Sequence, residues 1–233
     1  MSKTRVIFLL YAAATASDLL AIFQQMDDVR IISKCVLMPI LIIYAFYRFT
    51  DKKGAFKLVL VVLLFSWAGD ILLLFDSQDQ SLFIYGLGSF LIAHVFYIMT
   101  NAKARKPNTS VGLIPTQQMR YLFILIMAGL AIVYILLPHL GDLKIPVIIY
   151  AAVLTIMTIT ALYRYGRTET SSFSMVFMGA CFFMLSDAML AINTFVNEFV
   201  YAGFWVMLTY TSAQWMLVEG FAKHTDNTTI GQQ

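Results

Sequence analysis

Residues 55–75 read AFKLVLVVLLFSWAGDILLLF, an apolar run whose charged residues are Lys57 near its start and Asp70 near its end. About 20 such residues cross roughly 30 Å of hydrocarbon at 1.5 Å per residue. The run shows no strict alternation, and lipid offers the backbone no hydrogen bonds, so it reads as a membrane-spanning helix rather than a strand.

Working outward from it, the same pattern returns at Val6–Phe23, Cys35–Tyr47, Ser81–Thr100, Met119–Leu137, Ile145–Tyr163, Phe173–Phe195 and Phe199–Phe221. The second is short and must borrow its flanks. The expected fold is therefore all-α, a polytopic membrane protein of eight transmembrane helices forming a single integral membrane domain over residues 1–233. Composition agrees: 60% of the 233 residues are hydrophobic and 12% charged, against about 45–50% and about 25% in soluble domains. A soluble globule is excluded. Cys35 and Cys181 both lie inside apolar runs, so neither a disulfide framework nor a Cys-rich metal site is expected.

The net charge of +3 is spread over short connections and does not form a nucleic-acid patch. It reports topology instead. Of the 16 lysines and arginines, only Arg30, Lys34 and Lys144 fall on one side of the predicted spans. The rest, including Arg48, Lys52, Lys103, Arg105, Lys106, Arg164 and Lys223, fall on the other. The positive-inside rule then puts both termini in the cytoplasm, as in a multi-pass protein of a bacterial inner membrane. The connection from Asn101 to Gln118, with Pro107 and Pro115, reads as a cytoplasmic loop. Lys3, Arg5 and the small residues Ala14-Thr15-Ala16 imitate a cleavable signal peptide, but the apolar run continues to Phe23, as a retained span would.

Laying Asp70 on Asp187 also lays Phe65 on Phe182, Leu73 on Leu190, Gly86 on Gly203 and Leu91 on Leu208. The shift covers an even number of spans, so residues 1–105 and 117–223 would form two parallel four-helix repeats.

Ionisable residues inside a span cost at least ~2.5–3.5 kcal/mol at the bilayer centre and are functional candidates by default. Here they are Asp18, Asp70, His94 and Asp187, with Asn193, Tyr210 and Gln214 adding neutral polarity, Lys34 at the outer edge of the second span and Glu219 near the end of the eighth. Counting from the cytoplasmic ends puts Asp18, Asp70 and Asp187 at roughly 18–22 Å, with Tyr85 near that level. Carboxylates gathered in one low-dielectric cavity resist double ionisation, so one keeps a proton, as a general acid needs. The plainer alternatives are that Asp18 pairs with Lys34 and that His94 is a hydrogen-bonded core residue. No His or Cys pair has metal-ligand spacing, and no phosphate loop or nucleophile elbow occurs. Ser186 precedes Asp187, but neighbours on a helix point about 100° apart and cannot act as nucleophile and base together.

The segments Phe65-Ser66-Trp67-Ala68-Gly69-Asp70-Ile71-Leu72-Leu73, Gly86-Leu87, Phe90 to Tyr97, Leu185 to Ala191 and Tyr210 to Gln214 resemble the YhhN-like lysoplasmalogenase family. Lys34-Cys35 stands where that family tends to have Lys-Pro, with Pro39 further on. The resemblance implies hydrolysis of the vinyl-ether bond of lysoplasmalogens, with a lysophospholipid substrate, membrane lipids as surroundings and no metal or organic cofactor. It assigns Asp70 and Asp187 as the catalytic carboxylates. Supporting or substrate-binding roles go to Asp18, Lys34, Tyr85, His94, Tyr97, Ser186, Asn193, Tyr210 and Gln214. On the residues alone, a proton-coupled transporter of a small or lipid solute is the alternative, since intramembrane Asp and His also build proton relays. A scaffold whose polar groups only join helices is a third.

Overall fold

The structure is a computed structural model and describes residues 2–75, 80–104 and 112–230, so Arg105, Lys106 and Pro107 of the predicted basic loop lie outside the described residues. The fold is all-α. Its helices are α1 (Lys3–Gln24), α2 (Asp27–Arg48), α3 (Ala55–Leu74), α4 (Gln80–Lys103), α5 (Pro115–Leu136), α6 (Lys144–Leu162), α7 (Thr170–Phe195) and α8 (Ala202–Ile230). Each occupies one of the eight apolar runs. The short second run does borrow its flank: α2 begins at Asp27, whose carboxylate with that of Asp28 complements the helix N-terminus.

Seven of these helices, α1 to α7, are long and apolar enough to cross a membrane among the described residues. The protein is a multi-pass integral membrane protein. Of the eight expected spans, α8 does not reach the same hydropathy: it is 29 residues long but carries Thr209, Tyr210, Thr211, Ser212, Gln214 and Glu219 in its centre. Tyr210, Thr211, Gln214 and Glu219 are all buried, so the polarity that lowers its hydropathy is turned away from the lipid.

The chain divides into two compact units, residues 1–100 with 221–233, and residues 101–220. In the first, α1 packs on α2 and α2 on α3. Gln25 in the left-handed region (φ 57°) ends α1, and the Met26 amide closes back on the Ala21 carbonyl at 2.9 Å, so α2 starts within two residues. Pro39 lies inside α2 and has no N–H for the carbonyl four residues earlier, that of Cys35. The indole Nε1 of Trp67 on α3 donates to that carbonyl at 2.9 Å, which is why α2 passes Pro39 without breaking.

Glycines set the closest approach of α3 to α4. A Cβ on Gly69 would meet the Phe90 ring at 2.6 Å, and one on Gly86 would meet Leu73 at 2.9 Å. In the second unit α5 packs on α6 and α7, and α6 on α7. There α7 and α8 close up in the same way, with Gly179 against Leu217 and Gly220 against Val176. Beneath them Arg164, wholly buried, donates to the Ser172 hydroxyl at 2.8 Å, which donates onward to the Gly220 carbonyl at 2.7 Å. Outward faces carry large apolar side chains, such as Leu9, Leu20, Phe123, Tyr134 and Ile145, the surface expected where the solvent is hydrocarbon.

Candidate active site

In the first unit Asp18, Asp70, His94 and Tyr97 are all buried, and so is Lys34. Asp70 directly follows Gly69, so the close passage of α4 over that glycine brings its carboxylate-bearing turn near the helix that holds His94 and Tyr97. Asp70 and Tyr97 both lie within Coulombic range of the buried phenol of Tyr11 on α1. Tyr97 also stacks on Phe221, with ring centroids 6.1 Å apart.

The hydrogen-bond partner of Asp18 differs from the expected Lys34. Ser33 donates its hydroxyl to Asp18 Oδ1 at 2.8 Å, while Lys34 and Arg30 contribute through Coulombic range. Ser33 precedes Lys34 and turns about 100° around the helix from it, which is how the shorter side chain takes the contact. Tyr85 stands apart, at 62% exposure on α4.

In the second unit the phenolic hydroxyl of Tyr150, buried on α6, donates to Asp187 Oδ2 at 2.5 Å. This is the length of a charge-assisted O–H···O bond. Ser186 is committed to packing: it is buried, and its hydroxyl donates to the Val206 carbonyl of α8 at 3.0 Å. Gln214 Nε2 donates to the Tyr210 hydroxyl at 3.3 Å, one turn apart on α8, and the Tyr210 ring meets Phe183 edge-on. Asn193 Oδ1 accepts from the Phe199 amide at 3.3 Å and so ties down the connection from α7 to α8. Among the described residues no three His, Cys, Asp or Glu side chains gather as a metal would require.

Three participants escaped sequence reasoning: Tyr11, Ser33 and Tyr150. Tyrosine and serine occur throughout membrane helices as packing residues, and only the pairing of α6 with α7, or of α1 with α2, singles these out. The one signal in the sequence was a phenol within an otherwise aliphatic stretch, as at Tyr150.

These features define a class: a polytopic α-helical membrane protein with carboxylates inside its helices, two of which, Asp18 and Asp187, accept hydrogen bonds from hydroxyls on a neighbouring helix. The comparisons narrow it further. The YhhN family matches residues 29–221, and the chain belongs to that family. It is 32% identical to pig lysoplasmalogenase TMEM86B over 82% of this chain and 74% of the relative. Against human lysoplasmalogenase TMEM86B the identity is 27%, over 83% of this chain and 76% of the relative. Against the lysoplasmalogenase of Mycobacterium bovis it is 31%, over 68% of this chain, which spans 58% of that protein. No solved structure matches the chain.

Proposed function

We propose that this protein is a membrane lysoplasmalogenase, hydrolysing the vinyl-ether bond of a lysoplasmalogen to a fatty aldehyde and glycerophosphoethanolamine or glycerophosphocholine. Protonation of the β-carbon of the vinyl ether leaves an oxocarbenium ion. Water adds to its α-carbon and loses a proton, and the hemiacetal collapses to the aldehyde and the glycerol hydroxyl. One carboxyl group gives the first proton, and a carboxylate stabilises the cation and accepts the proton of the water. This two-carboxyl chemistry parallels that of glycosidases. Asp70 and Asp187 are assigned these two parts.

The observation that carries the reading is the Tyr150–Asp187 hydrogen bond of 2.5 Å. A phenol on the neighbouring helix thus orients Asp187 within a membrane-spanning segment, where an ionisable side chain is costly to keep and marks a functional candidate. Kinship with relatives that carry the name lysoplasmalogenase selects the reaction among those a buried carboxylate can perform. His94, Tyr97, Tyr210 and Gln214 are assigned to ordering water and the glycerol hydroxyl.

The test is aldehyde release from lysoplasmenylethanolamine by the purified protein, with an ester lysolipid as control. Asp70→Asn and Asp187→Asn each lose at least about a hundredfold in rate, the scale of general acid–base catalysis, while eluting as folded protein. Full activity in both variants rejects the assignment. Uptake into proteoliposomes driven by a pH gradient, with no cleavage, would make the protein a transporter instead.

A further inference from the structure

The hairpin of α1 and α2 carries polar groups that the chemistry above does not use. Asp18 is wholly buried; its Oδ1 accepts from Ser33, but its Oδ2 has no hydrogen-bond partner among the described residues. Thr15 lies three residues earlier, on the same face of α1, and its buried hydroxyl is likewise without a partner among the described residues. So is the buried Nε of Arg30 on α2. Arg30 shares a face with Ser33, whose hydroxyl also reaches the Arg30 carbonyl at 3.1 Å. An acceptor, a hydroxyl and a guanidinium N–H are thus withheld from water on one hairpin, with Lys34 adding a second cation within Coulombic range of Asp18. Buried polar atoms are nearly always hydrogen-bonded, and each exception requires a cause.

We infer that this hairpin binds the zwitterionic head group of a lysophospholipid and prefers a primary ammonium to a quaternary one: Asp18 Oδ2 accepts an ammonium N–H, and Arg30 donates to the phosphate. The inference rests on the proposed lysolipid substrate and adds its head-group class. The charges match in sign: a carboxylate with cations in Coulombic range answers an ammonium joined by a two-carbon link to a phosphate. Trimethylammonium has no N–H to give, so Asp18 Oδ2 would stay unsatisfied, and quaternary ammonium groups are instead recognised by aromatic faces. Removing a hydrogen-bond donor from a ligand whose site is built to accept it costs far more than removing a methyl group.

The experiment measures binding, not turnover, so it stands whether or not the vinyl-ether reading survives. The purified full-length protein is titrated with ester-linked lysophosphatidylethanolamine and lysophosphatidylcholine of one acyl chain, followed by native mass spectrometry. Wild-type protein binds the ethanolamine lipid at least about tenfold more tightly. Asp18→Asn brings the two affinities together, while Arg30→Gln weakens both by a similar factor and keeps the preference. Because Asp18→Asn could fail to fold, the wild type is also titrated with the N-methyl and N,N-dimethyl head groups. Affinity holds while one N–H remains and falls at the trimethyl stage. Equal affinities in the wild type, a preference untouched by Asp18→Asn, or a smooth decline with each methyl would overturn the proposal. Aldehyde assays on the same preparation report separately on the reaction.

Discussion

Tyr150 and Asp187 come from different helices, 37 positions apart in the chain, and are joined by a hydrogen bond of 2.5 Å from the phenol to Oδ2. A charge-assisted bond of this kind contributes about 1.5–3 kcal/mol. Tyr150→Phe removes the donor and keeps the ring. The expected outcome is a fall in kcat of about tenfold to a hundredfold with KM little changed, the signature of a lost interaction in the transition state. Steady-state aldehyde release measures it, and an unchanged kcat would mean that the phenol only holds α6 to α7.

Trp67 and Pro39 form a coupled pair although they do not bond each other. Trp67→Phe strands the Cys35 carbonyl that Pro39 cannot serve, at a cost of about 1–3 kcal/mol. Pro39→Ala returns an N–H to α2 and lets the helix satisfy that carbonyl itself. In the Pro39→Ala background, the expected cost of Trp67→Phe falls by at least half. Thermal unfolding of the four proteins in detergent completes the cycle, and simple additivity would show that the indole contact carries no such load.

Two glycines in one unit should respond oppositely to the same substitution. Gly69→Ala drives a Cβ to 2.6 Å from the Phe90 ring, so it should destabilise by about 1–3 kcal/mol and disturb the turn carrying Asp70. Gly88→Ala meets nothing within 4 Å and removes backbone freedom from a helix, so its melting temperature should hold or rise. A comparison of the two melting curves is enough, and equal effects would contradict the close approach of α3 and α4.

Within the first unit, Asp226 near the end of α8 pairs with Arg48 at 2.6 Å and accepts from Thr50 at 3.0 Å. Both ionic side chains are partly exposed, at 19% and 26%, so the pair should contribute no more than about 1 kcal/mol. An Arg48→Gln and Asp226→Asn cycle should give a coupling of that size at low salt and a smaller one in molar salt. A salt-independent coupling above that range would mean that the pair is shielded far better than its exposure suggests.

How much was legible before the fold differed from residue to residue. The lengths and positions of the helices were readable because each must cover a fixed hydrocarbon thickness, and the apolar runs measure that directly. α8 was the exception. Its apolar run predicted the helix, yet Tyr210, Thr211 and Gln214 are tolerated there only because they are buried within the protein. Asp70, Asp187 and His94 were visible as charges where hydrocarbon excludes them. The partners of the acidic groups were not. Lys34 looked like the natural mate of Asp18 on charge alone, but the rotation of α2 gives the contact to Ser33. Tyr150 was hidden by its own commonness.

The sequence by itself determined that this is a multi-pass helical protein and which side chains are costly to bury, because hydropathy and ionisation are properties of residues in order along the chain. Only the tertiary structure decided which hydroxyl meets which carboxylate, which glycine lets two helices close, and which indole answers a proline. Those are contacts between helices, set by their rotation and packing distance, and no one-dimensional pattern encodes either.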